Sequence, residues 1–561
     1  MADRDSTKDD GPVAEKIETP GSASGSDELL ETNEHAHLTL KQSLKKWRRV
    51  VLFSLLLSSG ILMYGYDYVI VGTASAMPSF LRDFGVELNG EQILPSMWLG
   101  LWNFISPGCS MVGAVAGGFF QDRFGRRASL AVGSFLSAVG VAVCFASNKP
   151  AAIDSRRGMF LAGKGFQGGA IGMVMATAST HMSEILPPNL RGPILAFFPI
   201  FTLLGQVIGA LVIYACLNHD NGYAIAFATQ WPFSALPLLS ALIVPESPAF
   251  LIRCATNPTN STTTSSSSLE TRAFAAQRRL DGPRVPPSET ALTLRRLRAH
   301  IAHEQSLAQP TYRDMLLPPR RDGGATAANP NLRRTLIVVF ASLVPQLFGL
   351  TLLSKGSYFI QVVGMDADLS VVVLIAGIVC GLLANVASMP VLARWGRRPL
   401  MMGGLGAAAV WWGTMGVAGC WAGEVVVWYS AAMMIAVIVC CGLGAWPAAM
   451  IVCAETSALH LRAKAQGISW LTAGAGNSLF GFVLPYIFNP DQGNLRGKTG
   501  FVYAGLCLLG VVITYFAVPE MKGRTPAEID RMFELGLPAR KFKEWKNPSV
   551  TGEEETGAEK V

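Results

Sequence analysis

Long apolar runs alternate with short polar gaps along most of this chain. Five runs lie near Val50 to Ala76, Ser96 to Phe119, Ala128 to Ser147, Gly158 to Met182 and Gly192 to Ala215, and a sixth runs from about Ala228 to Val244. Six more follow around Thr335 to Gln361, Leu369 to Leu392, Pro399 to Ala418, Val425 to Ala454, Ala465 to Ile487 and Gly500 to Val518. Runs of about 20 residues match the ~30 Å of hydrocarbon in a bilayer. They lack the alternating polar pattern of barrel strands, and lipid offers the backbone no hydrogen-bond partner, so each is predicted to be an α-helix. The pattern predicts an all-α membrane protein with about twelve transmembrane helices.

The polar stretches divide these helices into two sets. Residues 1–48 read as a disordered tail, 49–246 as a first six-helix bundle, 247–334 as a central loop, 335–520 as a second six-helix bundle and 521–561 as a terminal tail. Within the loop, Thr256 to Ser268 (TNPTNSTTTSSSS) is expected to be flexible. Glu289 to Gln309 alternates Leu and Arg in a pattern expected for short surface helices. The tail past Glu520 is expected to be mobile beyond the amphipathic stretch Pro526 to Phe533. The first 40 residues hold no apolar leader, so the first span is expected to serve as its own insertion signal.

The two sets are related. Asp122 to Arg127 (DRFGRR) and Ala393 to Arg398 (ARWGRR) stand 271 positions apart, each in a short gap between apolar runs. Glu184 with Arg191 recurs at the same offset as Glu455 with Arg462. Two similar membrane halves in phase are the sequence mark of an alternating-access transporter.

Composition agrees: half the residues are apolar, 15% are charged, and the mean hydropathy is +0.35. The net charge of +7 matters by its placement, because Arg and Lys collect in alternate gaps. Arg123, Arg126 and Arg127 follow the second span, Arg394, Arg397 and Arg398 the eighth, and Arg462 with Lys464 the tenth, which predicts that these loops and both termini are cytoplasmic. Lys149, Arg156 and Arg157 run against the trend. The Asn260-Ser261-Thr262 sequon then lies on the wrong side for glycosylation. The ten Cys are scattered without CxxC pairs, so neither a disulfide framework nor a metal site is indicated. Gly158 to Lys164 fits the first half of a phosphate loop, but Gly165 stands where Ser or Thr is needed and an apolar span follows, which argues against nucleotide binding. No HExxH, GxSxG or other catalytic constellation is present, so the chain reads as no enzyme, with no cofactor and no nucleic-acid partner.

In GGFFQDRFGRR, Gly117 and Gly118 are expected to let two helices approach closely, Asp122 to cap a helix start, and the arginines to anchor the helix ends. This fragment resembles the loop signature of the major facilitator superfamily. HMSEILPPNLRG, Pro245 to Pro248 (PESP) and PEMKGRTPAEID resemble the sugar porter branch. GYDYVIVGTASAMPSFLRDFG, Gln230 with Trp231, NLRRT, GSYF and LPYIFNPDQGNLRGKTGF are similar to phrases of fungal α-glucoside permeases, in the same order. The resemblance implies the major facilitator fold and a cytoplasmic gate built from Gly118, Asp122, Arg123, Gly125, Arg126, Arg127, Glu184 and Arg191. Its second-half counterparts are Arg394, Gly396, Arg397, Arg398, Glu455 and Arg462. Such a charge lattice would hold the outward-open state shut on the inside. Ala393 replaces the aspartate in the second copy, so the latch is expected to be asymmetric, with the first half contributing more.

Asp67 lies well inside the first span, where an acid costs ~2.5–3.5 kcal/mol on insertion scales. A carboxyl there can switch protonation as a cavity opens to either side, and Lys164 in the fourth span is the obvious partner. By resemblance, Asp67 with Lys164 carries the coupling proton; the alternative is a buried ion pair that only fixes helix packing. A sugar site needs amides and aromatic faces converging near mid-depth. By resemblance Gln346, Thr351 and Asn477 bind substrate, with Gln206 and Asn385 as replacement amides and Tyr64, Tyr66, Tyr358 and Trp446 as wall candidates. Pro345, Pro199, Gly381 and Met450 stand where the family carries binding groups, which weakens the sugar assignment. His181 reads as a hydrogen-bonded interface residue rather than a pH sensor.

Together these features lead to a proton-coupled sugar symporter, the expected substrate being an α-glucoside or hexose, working as a monomer in a fungal plasma membrane. The alternatives are a carrier of a polyol, a quinate-like acid or a secondary metabolite, and a non-transporting nutrient receptor.

Overall fold

The computed structural model describes residues 40–88, 90–187, 190, 194, 198–256, 263–283, 285–306, 315, 330–458, 461–524 and 526–545. Twelve long helical segments follow one another: α1 (Arg48–Ala74), α2 (Ser96–Phe124), α3 (Arg126–Asn148), α4 (Ile153–Ile185), α5 (Phe198–Cys216), α6 (Gly222–Ile243), α7 (Pro330–Leu353), α8 (Ala367–Leu392), α9 (Arg397–Ala418), α10 (Glu424–Thr456), α11 (Lys464–Phe488) and α12 (Arg496–Ala517). Eleven of these are both long and apolar enough to cross a membrane; α4 is as long as α10, the longest of them, but carries Asp154, Arg156, Arg157, Lys164 and Glu184, which dilute its hydropathy.

Within the first half α2 and α3 pack on α4, and α1 packs on α5; in the second half α9 packs on α12 and α8 on α10. The halves meet where α2 lies against α11 and α5 against α8. The α5–α8 seam is apolar, with Leu203 and Ala210 facing Leu374 and Ile378. Pro345 lies inside α7, and Gly349 takes φ +89° just beyond it. The proline lacks an N–H and the left-handed glycine ends the helical turn, so the chain resumes as the short turn Leu350–Leu353 and, after a second break at Ser354 and Lys355, as the helix Gly356–Val363.

The end opposite the arginine loops is closed across the halves. Asp491 accepts the Ser96 N–H at 2.8 Å and also contacts the Ser96 hydroxyl. Asn489 donates to the Leu94 carbonyl at 2.7 Å, Tyr358 accepts the Leu94 N–H at 3.2 Å, and Gln361 donates to the Ala76 carbonyl at 2.9 Å. Phe80, Phe84, Trp102, Phe160 and Tyr223 form an aromatic plug beside this seal. Arg157 explains part of the exception to the charge bias: it is 5% exposed and donates to the carbonyls of Phe84 and Gly85. There it satisfies backbone at a helix end, which is a structural use of the charge.

Several expectations for the connecting segments change. Leu40–Lys46 is helical rather than part of a disordered tail, Lys46 pairs with Glu289 at 2.6 Å, and Trp47 is buried. The described part of the central loop forms helices Pro248–Thr256, Thr263–Asp281 and Pro287–Ser306. Residues 263–268, expected to be flexible, open the second of these, whose Leu280 packs with Trp47 and Val50 under α1; residues 257–262 lie outside the described set. The terminal tail is also packed past residue 533, because Arg333 and Arg334 at the base of α7 lie over the rings of Phe533 and Phe542. Arg334 further pairs with Asp530 at 2.7 Å. The described residues also include a short antiparallel hairpin, Val86–Leu88 with Glu91–Ile93, between α1 and α2.

Candidate functional site

A polar chain crosses four helices of the first half. The ammonium of Lys164 on α4 contacts the carboxylate of Asp67 on α1; the lysine is fully buried and the aspartate 7% exposed. Ser106 on α2 donates to the other carboxylate oxygen at 3.2 Å, and Lys164 donates to Gln167, one helical turn on, at 2.9 Å. Gln167 in turn contacts Gln230 on α6. A buried ion pair persists when its remaining donors and acceptors are satisfied, and here Ser106 and Gln167 do that.

A second cluster comes from the other half and is reached from α1 by Tyr68. The Thr351 hydroxyl contacts Gln346 and lies 3.1 Å from the Asn477 amide oxygen, to which Tyr68 of α1 donates at 3.4 Å. Gln346, Thr351 and Asn477 therefore converge, and Tyr68, next to Asp67 in sequence, links them to the charged pair. Tyr64 stands beside Tyr68 with ring centroids 5.9 Å apart. Gln206 is buried on α5 away from this cluster's hydrogen bonds, and Asn385 bonds back to Gly381 of its own helix at 3.4 Å. Tyr66 stacks on Phe233 and bonds Thr229, Tyr358 belongs to the seal, and Trp446 packs with the α5–α8 seam. His181 is buried with Nε2 3.1 Å from the Pro245 carbonyl.

The arginine loops are built twice on one plan. Arg126 clamps Glu184 with two hydrogen bonds, at 3.0 and 2.8 Å, and Arg397 clamps Glu455 at 3.2 and 2.8 Å. Glu246 accepts the backbone N–H groups of Arg126 and Arg127, and Glu520 those of Arg397 and Arg398. A carboxylate from a distant segment thus caps the start of α3 and of α9, where free N–H groups and the helix dipole favour negative charge. A β-carbon at Gly125 would come within 2.7 Å of Glu246, and one at Gly396 within 2.0 Å of Glu520, so both glycines make room for the caps. Arg127 and Arg398 finish the pattern by donating to carbonyls that end α6 and α12, Ala241 at 2.7 Å and Tyr515 at 2.6 Å.

The lattice expected from resemblance is altered in detail. Each of these ion pairs closes within its own half. Asp122 caps no helix start; it sits in the last turn of α2 and pairs with Arg126 at 3.3 Å. Gly117 abuts Met173 of α4, whereas a β-carbon at Gly118 would meet nothing within 4 Å, so only the first of the two permits close approach. The side chains of Arg123, Arg394 and Arg462 are exposed, and the Arg394 carbonyl accepts from Lys522 at 2.6 Å. Arg191 lies outside the described residues. The first clamp has extra partners, since Arg253 approaches Glu184 at 3.6 Å and Phe250 lies under the Arg126 guanidinium.

Several contributors carry no motif. Ser106, Gln167 and Tyr68 are ordinary residues made polar neighbours by helix packing. Lys355 is marked by the same signal as Asp67, a charge within an apolar run, yet falls outside every family phrase.

A family model described as "Sugar (and other) transporter" matches residues 53–533. The chain is 29% identical to the MFS transporter fmqE of Aspergillus fumigatus over 527 residues, 91% of this chain and 92% of that one. It is 26% identical to the maltose permease MAL61 of Saccharomyces cerevisiae over 526 residues, 91% of this chain and 80% of that one. Among solved structures, the inward open conformation of the xylose transporter XylE from E. coli matches with a TM-score of 0.67 at 18% identity, covering 86% of this chain and 99% of that one.

Proposed function

The chain belongs to the sugar (and other) transporter family, and from that premise we propose that it is a proton-coupled symporter that carries a sugar, an α-glucoside or hexose, into the cell by alternating access. The observation that carries the reading is the buried Asp67–Lys164 pair, whose chain neighbour Tyr68 reaches the Gln346, Thr351 and Asn477 cluster of the opposite half. The arginine loops and both termini face the cytoplasm of a fungal cell and the seal around Asp491 faces outside, so the described state is closed on the outside. In this state each clamp closes on its own bundle, and the same charges meet across the cleft when the inner side shuts. Protonating Asp67 from outside removes its attraction for Lys164. The amides then take the sugar hydroxyls in place of water, since each buried hydroxyl needs a partner. Rocking of the halves exposes both cargoes inside.

The test is accumulation in proteoliposomes under an imposed pH gradient. Asp67→Asn is expected to abolish accumulation while leaving substrate exchange intact; accumulation that survives the substitution would refute the proton role.

A further inference from the structure

Lys355 sits in the break that follows α7, between Leu350–Leu353 and the short helix Gly356–Val363. It is half-buried at membrane depth, and its stem lies against Gly72 of α1, where a β-carbon would come within 2.4 Å of it. It follows the turn Leu350–Leu353 that carries Thr351, and Thr351 and Tyr68 of α1 meet at the Asn477 amide oxygen. Lys164 has its counter-charge in Asp67. Lys355 has no hydrogen-bond or ion-pair partner for its ammonium among the described residues.

Around α1, Asp67, Lys164 and Lys355 thus supply one carboxylate and two ammonium groups. A charge kept inside a membrane protein marks a pathway or binding position and needs a counter-charge. Two features make the surplus larger than a count of side chains. Lys355 stands at the start of the helix Gly356–Val363, whose positive end points inward toward mid-depth, and broken transporter helices present such ends to anionic groups of their substrates. Protonation of Asp67 removes the one carboxylate of this set, so the coupled step leaves two cations without a counter-charge.

We propose that the solute carried by this site bears a carboxylate, which Lys355 binds, on a hydroxylated skeleton, which Gln346, Thr351, Asn477 and Tyr68 bind. This rests on the transport reading above and moves its substrate class from neutral sugars to sugar acids. The carboxylate replaces the charge that Asp67 loses on protonation, so anion and proton favour each other's binding, and the charged site passes through the cycle without an uncompensated second cation.

The full-length protein in proteoliposomes tests this with matched solutes: D-glucuronate against D-glucose, methyl α-D-glucuronide against methyl α-D-glucoside, and D-gluconate against D-sorbitol. For at least one pair the acid is expected to be exchanged about tenfold more effectively than its neutral partner, the worth of one hydrogen bond to a charged group. That preference falls to near parity in Lys355→Gln and persists in Lys355→Arg, with both variants' thermal unfolding compared with the parent's. If Lys355→Gln does not fold, the parent and Lys355→Arg together decide. Preference for the neutral member of every pair, no exchange of any acid, or an acid preference unchanged in a folded Lys355→Gln overturns the anion assignment while leaving transport of neutral solutes standing. Failure to exchange any solute overturns both readings.

Discussion

Arg126 and Arg397 stand 271 residues apart and occupy the same place in the two halves, each gripping a glutamate at 2.8 Å at its shortest. Their surroundings differ. Arg126 is 2% and Glu184 11% exposed, whereas Arg397 is 18% and Glu455 31% exposed. The duplicated plan is thus tightened in the first half, where Asp122, Arg253 and Phe250 crowd the clamp.

That difference predicts unequal costs. Glu184→Gln leaves a buried guanidinium short of a counter-charge and is expected to destabilise by about 3 kcal/mol. Glu455→Gln loosens a partly exposed pair and is expected to cost about 1 kcal/mol or less. Thermal unfolding of the purified variants in one detergent measures both, and equal losses would contradict the asymmetry.

The glutamates that cap α3 and α9 predict the behaviour of two glycines. A methyl group at Gly396 overlaps Glu520, and one at Gly125 overlaps Glu246 while also meeting a backbone at φ +96°. Gly396→Ala is expected to displace the cap and lose about 1–2 kcal/mol, the worth of an N-cap. Gly125→Ala loses more, because left-handed strain is added. Pairing Gly396→Ala with Glu520→Ala gives less than the sum, since both remove one interaction. Strict additivity in that cycle would show that the glycine acts elsewhere.

The membrane-embedded pair predicts a rescue. Lys164→Met strands the Asp67 charge, and Asp67→Asn strands the Lys164 charge, each costing about 3–5 kcal/mol as a broken buried pair. The double variant is expected to recover much of the folded yield of the parent while transporting without proton coupling. Size-exclusion profiles and pH-gradient accumulation, measured together, check the two halves of that statement; a double variant less stable than either single would sink it.

The seal predicts a state-specific trap. Ser96 and Asp491 touch across the two halves only when that end is closed. In a background without reactive native cysteines, Ser96→Cys with Asp491→Cys is expected to cross-link under mild oxidant and stop exchange, which a reductant restores. Undiminished exchange in the cross-linked protein would mean that this contact stays closed throughout the cycle.

The repeat, the twelve spans and the paired arginine loops were all legible in the chain, because each depends on local order: hydropathy over about 20 residues fixes a span, and a short motif between spans fixes a loop. Asp67 and Lys164 were legible too, as charges where lipid admits few. Sequence alone could not show that Gly118 faces open space, that Glu246 and Glu520 are the helix caps, or that the insert and tail fold onto α1 and α7. Nor could it join Tyr68 to Asn477, 409 positions away, or set Lys355 against Gly72 of α1. Those relations come from how helices rotate and cross. A helix presents side chains on every face, and only packing against a particular neighbour selects which of them meet and which charges are left to be balanced by something else.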